Sequence, residues 1–373
     1  MRIGIVGGGQ LGRMLAFDAK KMGFTVRVVD PTPDSPASQV VDEQILGGYS
    51  DAEATKKLAA VSDFITVEIE HINTDTLSEL VKNGVKVNPS PKTIEIIKDK
   101  FQQKLYLQKN KIPTSDFVEV KTQEDIEKIG KKFGYPMVLK AKKDAFDGRG
   151  NALIKSKNAI NSAMEKLSGR ELYVEKYVPF SKELAVVLAR SMAGKVALYP
   201  VVETIHKNNI CHIVISPAQI DEEEKKKAER LAKKVLSHLK GAGVFAVEMF
   251  VTKNGDVLVN EIAPRVHNSG HLTIEANVTS QFEQHIRAIT GLPLGNTQLL
   301  VPAAVMINIL GERKGLVEIT GLEKVLAMPG VFVHIYGKSE TKIDRKMGHI
   351  TVLDETTEKA LQKAKKARRL LSI

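Results

Sequence analysis

The sequence predicts a mixed fold, α/β in its N-terminal part and α+β beyond it. Three observations carry this. Strand-like and helix-like stretches alternate over residues 1–90, which predicts a parallel sheet covered by helices. A glycine turn, GGGQLG, joins the first strand to the first helix. From Ser181 onward β-rich runs dominate, among them a hairpin signalled by Asn254-Gly255.

Each element follows from its pattern. RIGIVG, FTVRVVD, SDFITVEIE and GVKVNPS are the candidate strands of the first unit, with QLGRMLAFDAKKMG and AEATKKLAAV as helices between them. Gly7, Gly9 and Gly12 complete a G-x-G-x-x-G, and Asp30 ends the second strand. This is nearly a dinucleotide fingerprint, with helix N–H groups facing a crevice, so a nicotinamide-dependent oxidoreductase is one reading. TIEIIKDKFQQKLYLQKN reads as one continuous helix. A second unit starts near KIPTSDFVEV and holds a helix, the strand YPMVLKA, a glycine loop, a helix and the strand ELYVEKYV. Long β runs, a charged helix, the hairpin and a final basic helix complete the chain. The expected segments are 1–98, 99–180, 181–303 and 304–373.

With 373 residues the chain has room for several cores. No apolar run approaches the ~18 residues of a membrane span, and the first strand begins so early that no signal peptide is expected. Cys211 is the single cysteine, which excludes an internal disulfide and suits a reducing cytoplasm. A net charge of +11 fits either nucleic acid or lysine-rich solvated helices around an anionic substrate. Aromatics are only 5% and do not interleave with basic residues, so the second reading is preferred and no nucleic-acid partner is expected.

The chemistry concentrates in three places. If Asn254 and Gly255 form the hairpin loop, Lys253 faces Asp256, Val251 faces Leu258, and Glu248 faces Glu261. Directly opposed like charges repel. The pair is then either two solvated glutamates or a site for a hard divalent cation, Mg²⁺ or Mn²⁺, with Asn260 and Asn268 as neutral donors nearby. The loop KKDAFDGRGN, after a strand that ends near Lys140, is either an ordinary turn or a phosphate cover of backbone N–H groups and a cation. YVEKYV places Glu175 in a β run that is either plain core or a backbone edge for adenine.

Together these pieces resemble the ATP-grasp superfamily. Within it, GGGQLGRML, TVEIEHI, DGRGN, NEIAPRVHNSGH and DRKMGHITVLD resemble the N5-carboxyaminoimidazole ribonucleotide synthetases of purine biosynthesis. The resemblance implies an ATP-grasp fold with an N-terminal Rossmann-like domain and a small β-rich C-terminal domain. It implies a homodimeric ligase that uses ATP, Mg²⁺ and bicarbonate to carboxylate 5-aminoimidazole ribonucleotide. By position, Lys100 and Lys140 would meet ATP phosphates, and Ala145, Phe146, Asp147, Gly148, Arg149, Gly150 and Asn151 would fold over them. Phe146 stands where the family usually has tyrosine. Glu175, Lys176, Tyr177 and Val178 would hold adenine and Glu183 the ribose, with His206 and Asn260 also at the nucleotide. Glu248 and Glu261 would bind the metal. Gln10, Leu11, Glu70, His267, Asn268, Ser269, Lys338, Arg345 and Lys346 would take the aminoimidazole ribonucleotide. Asp147, Arg149, Arg265 and His267 would act in catalysis, and Asp30 would be structural. Another ATP-grasp carboxylate–amine ligase is the alternative.

Overall fold

The computed structural model describes residues 1–143 and 150–373. Its first unit runs β1 (Arg2–Val6), α1 (Gln10–Lys21), β2 (Thr25–Asp30), β3 (Glu43–Leu46), α2 (Ala52–Ala60), β4 (Phe64–Val67), α3 (Thr74–Lys82), β5 (Lys86–Val87) and α4 (Pro91–Lys98). The five strands form one parallel sheet in the order β3-β2-β1-β4-β5. The order reverses at β1, so the crevice opens at the carboxyl ends of β1 and β4. β3 was not expected: EQIL is short, and its strand character comes from pairing with β2.

The expected single helix over residues 93–110 is two. Asp99 leaves helical geometry (φ −104°, ψ 109°) and caps α5 (Lys100–Lys109), accepting from the N–H groups of Phe101 and Gln102, both at 3.0 Å. The break makes Lys100 the first residue of a helix and turns it into the cleft described below. β6 (Phe117–Val120), α6 (Gln123–Phe133), β7 (Met137–Ala141), β8 (Asn151–Ile154), α7 (Ile160–Lys166) and β9 (Leu172–Lys176) follow. Their sheet has the order β6-β9-β7-β8.

A larger antiparallel sheet carries the rest. β10 (Phe180–Arg190), β11 (Val196–Leu198), β12 (Val202–Lys207), β13 (Ile210–Ser216), α8 (Glu222–His238), β14 (Gly243–Thr252), β15 (Val257–Ala263), α9 (Thr273–Ala276) and α10 (Gln281–Thr290) precede the C-terminal elements. These are β16 (Ala303–Leu310), β17 (Gly315–Leu316), α11 (Leu322–Leu326), β18 (Val331–Ile335), β19 (Glu340–Thr341), β20 (Lys346–Asp354) and α12 (Thr357–Leu370). β16, β20 and β18 extend the same sheet, in the order β15-β14-β10-β12-β13-β16-β20-β18. One buried cluster joins the units. Leu15 and Ile5 of the first pack with Val187, Val244 and Phe282 of the large sheet and its helix α10. The alanine stripe of α12, Ala360, Ala364 and Ala367, covers the C-terminal strands. No helix among the described residues is long and apolar enough to cross a membrane.

Candidate active site

The three sheets enclose one cleft of about 1210 Å³. Gln10, Leu11 and Glu70 line it from the first unit, and Lys100, Lys140, Gly150, Asn151 and Glu175–Val178 from the second. Glu183, His206, Glu248, Asn260 and Glu261 line it from the large sheet, Arg265, His267 and Asn268 from the segment after β15, and Lys338, Arg345 and Lys346 from the C-terminal part. Ser269 does not reach the cleft. It is buried behind His267, with its hydroxyl 2.9 Å from that ring's Nδ1, because the short turn after His267 folds it inward. Ala145, Phe146, Asp147, Gly148 and Arg149 lie outside the described residues.

The acid pair has the expected partners but a different register. Thr252 N–H donates to the Asp256 carbonyl, which leaves a three-residue turn, and Val251 pairs with Val257 and Phe250 with Leu258. The expected pairs of Lys253 with Asp256 and Val251 with Leu258 are therefore each off by one. A β-bulge between Glu248 and Met249, with Asn260 as the extra residue, absorbs the offset and sets Glu248 opposite Glu261. The bulge also brings Asn260 and Glu261 onto the cleft together.

The two carboxylates are inequivalent. Lys100 Nζ lies 2.7 Å from Glu261 Oε2. Burial alone would raise Glu261, but Lys100, with Lys140 and Arg265, outweighs it and the carboxyl falls below its ordinary range. The same pairing raises Lys100 against its own burial. Glu248 is raised by burial and by Glu261 facing it. Its Oε1 is 3.5 Å from His267 Nε2. Two carboxylates and an amide are a hard oxygen set. That matches Mg²⁺, which takes one or two protein carboxylates and completes its shell with phosphate oxygens and water.

At the end where the nucleotide is expected, Val138, Leu153, Phe180 and Phe250 form apolar walls, the two phenylalanines stacked at 4.7 Å. The Glu175 side chain is buried at the edge of this space. It meets Lys140 at 3.1 Å, Lys104 at 3.3 Å, the Ser115 hydroxyl at 2.9 Å and the Tyr173 hydroxyl at 3.1 Å. Burial opposes its charge, yet the two lysines bring it to about 2. The carboxylate is thus committed to these partners. Lys104, buried in α5, was missed. It lies one helical turn after Lys100, a spacing that places both on one face. His206 Nδ1 lies 2.7 Å from Glu183 Oε2; burial lowers the ring, and Glu183 more than restores it.

At the opposite end, Arg265 Nε is 2.9 Å from Glu70 Oε1, tying the segment just after β15 to the first unit. His267 is held well below the usual imidazole range by burial, with Arg265 and Lys346 adding to the effect. Ser269 N–H donates to its Nδ1 at 3.3 Å, which assigns the ring proton to Nε2. Asn268 is buried, and its amide meets no nitrogen or oxygen partner among the described residues. Lys338 Nζ donates to the Lys346 carbonyl at 2.7 Å, clustering this basic edge.

The glycine turn differs most from its sequence reading. Gly8 N–H donates to Asp30 Oδ2 at 2.8 Å, and Gly9 and Gly12 N–H donate to the two oxygens of Glu68. These N–H groups do not face the crevice free, so the dinucleotide reading loses its phosphate site. Asp30, expected to be structural, also accepts from Thr32 N–H and the Tyr49 hydroxyl.

Comparison with known proteins agrees with this layout. Residues 1–98 match the ribonucleotide synthetase preATP-grasp domain, 105–282 the ATP-grasp domain and 304–363 the phosphoribosylaminoimidazole carboxylase C-terminal domain. The N5-carboxyaminoimidazole ribonucleotide synthase of Bacillus subtilis is 41% identical over 360 residues, covering 96% of this chain and 93% of that one. The chain belongs to the N5-carboxyaminoimidazole ribonucleotide synthase family. Its central domain is an ATP-grasp domain. The synthetase structure from Thermotoga maritima has a TM-score of 0.90 at 50% identity, covering 100% and 98% of the two chains. That of Aspergillus clavatus, solved with ADP and 5-aminoimidazole ribonucleotide, has a TM-score of 0.92 at 38% identity, covering 99% and 98%. The phosphoribosylaminoimidazole carboxylase of Ogataea methanolica is 47% identical over 362 residues, 95% of this chain but 66% of that one. The chain therefore spans about two thirds of the fungal carboxylases it matches.

Proposed function

We propose that the chain carboxylates 5-aminoimidazole ribonucleotide with bicarbonate and ATP, releasing ADP and phosphate, in purine biosynthesis. The supporting observation is the continuity of the large cleft. It joins an apolar nucleotide pocket, through the opposed Glu248 and Glu261, to a basic edge of Lys338, Arg345 and Lys346 beside Glu70, Arg265 and His267. Anionic substrates enter at both ends, and their reacting groups meet at the acids.

In the first step a bicarbonate oxygen bonds to the γ-phosphorus of ATP and the bond to the ADP oxygen breaks, giving carboxyphosphate. The amine nitrogen then bonds to the carboxyl carbon, phosphate leaves, and the amine proton is lost. Lys100 and Lys140 hold and neutralise the phosphates, and Arg265 neutralises the transferred carboxyl. His267 stays neutral and donates from Nε2. Asp147 is assigned as the amine's proton acceptor and Arg149 as a phosphate contact. Mg²⁺ held by Glu248 and Glu261 would add charge neutralisation at the phosphates. The enzyme works as a homodimer in the cytoplasm, where the buried thiol of Cys211 stays reduced.

ADP release is the direct test, measured with ribonucleotide, bicarbonate and ATP and then with each omitted. Release that needs all three is expected. Release indifferent to the aminoimidazole ribonucleotide overturns the assignment.

A further inference from the structure

The glycine turn raises a physical problem. A helix N-terminus carries unpaired N–H groups and attracts anions. α1 starts in the crevice, and its N-cap residue is Gly9, which has no side chain to cap with. Glu68, just past the end of β4, supplies the missing acceptor. Its two oxygens take the N–H groups of Gly9 and Gly12, the N-cap and N3 positions. It is buried, yet it borders the same cleft as Gln10 and Leu11. A Cβ at Gly7, at φ +108°, would collide with the Glu68 side chain, so the glycine pattern also makes room for it.

We propose that Glu68 is a built-in anion that fills the phosphate nest of the N-terminal turn, setting Gln10 and Leu11 for the ribonucleotide and excluding phosphate groups from that spot. This rests on the assignment of the crevice to the aminoimidazole ribonucleotide. It explains how a dinucleotide-type turn serves a mononucleotide. The turn keeps its shape because an internal carboxylate replaces the pyrophosphate. The ribonucleotide's own phosphate is thereby directed to the basic edge at Lys338, Arg345 and Lys346. Glu68 is a positioning residue, acting through the turn.

The experiment uses Glu68→Ala and Glu68→Gln in the full chain. In Glu68→Ala the KM for the ribonucleotide rises about tenfold while that for ATP holds. Formate at tens of millimolar refills the nest and restores most of the loss. Inorganic phosphate binds the variant at least tenfold more tightly than the wild type in calorimetric titration. Glu68→Gln fills the nest but sets an NH₂ against an N–H donor, so its ribonucleotide KM rises without formate rescue. If Glu68→Ala does not fold, an unchanged KM in Glu68→Gln overturns the proposal. If Glu68→Ala folds, absence of both formate rescue and added phosphate binding overturns it. Phosphate binding needs no turnover. A wild type inert toward the ribonucleotide would therefore refute the proposed function and leave this test standing.

Discussion

Glu248 and Glu261 face each other across two strands, and Lys100 lies against Glu261. Removing either should take away a main element of charge stabilisation, so Glu248→Ala and Glu261→Ala should each lose ~10²-fold or more in turnover. Steady-state ADP release measures this, and near-normal turnover in both variants would remove the metal assignment. Lys104 makes a different prediction. It is only 3% exposed at its side chain and shares Glu175 with Lys140. Burial brings it down to about 8, with Glu175 only partly opposing. Lys104→Met leaves Glu175 buried with one lysine, which should cost about 3 kcal/mol in stability. It should also raise the KM for ATP, because Lys140 is drawn to Glu175. Urea unfolding together with a KM series checks both parts. The acid pair was legible because the Asn-Gly turn gives a count to follow. Lys104 was not, because a buried lysine within a basic helix looks like its solvated neighbours until its partner from β9 is in place.

At the scale of elements, irregularities position the site, and irregularities are what local patterns record least well. The hairpin count reached the right glutamates through two errors that cancel, a turn one residue longer and a bulge at Asn260. Periodicity carries no signal for either, since both are set by how the two strands settle against each other. The break at Asp99 is similar. The stretch around it has helix-forming residues on both sides, and the acid's preference for capping decided against continuation. Asp99→Ala should therefore cost about 1 kcal/mol by denaturant unfolding. It should also weaken ATP binding, because Lys100 loses the helix start that aims it at Glu261. A variant with unchanged stability and unchanged ATP affinity would mean that the packing of α5, rather than the cap, sets the break.

Over the whole molecule, the alternation of the first unit was readable from apolar patterning, but the joining of the C-terminal strands to the large sheet was not. Strand order depends on pairings far apart in sequence, such as β13 with β16. The contact of the first unit with the large sheet is equally non-local, and His285 makes it testable. This fully buried ring on α10 accepts the Val244 N–H at Nδ1 (3.0 Å), so its Nε2 carries the proton and donates to Thr66 Oγ1 at 2.8 Å. One side chain thus ties β14, α10 and β4 together. Burial holds it neutral and pulls it down to about 3 from the ordinary 6.5. A depressed folded value contributes stability in full above about pH 6.5. That contribution is lost as pH falls from there toward about 3, because the unfolded chain takes up the proton first. His285→Gln stays neutral throughout. It should be less stable than wild type at pH 7, since it cannot match both hydrogen bonds. Its stability should then fall less steeply on acidification, by up to about 1.4 kcal/mol per pH unit between pH 6 and 4. His267, His271 and His349 are also held low by burial, so both proteins keep a slope and only the difference belongs to His285. Urea unfolding of both proteins across that range measures the difference. Parallel curves would show that the tie between the units does not depend on a neutral ring at position 285.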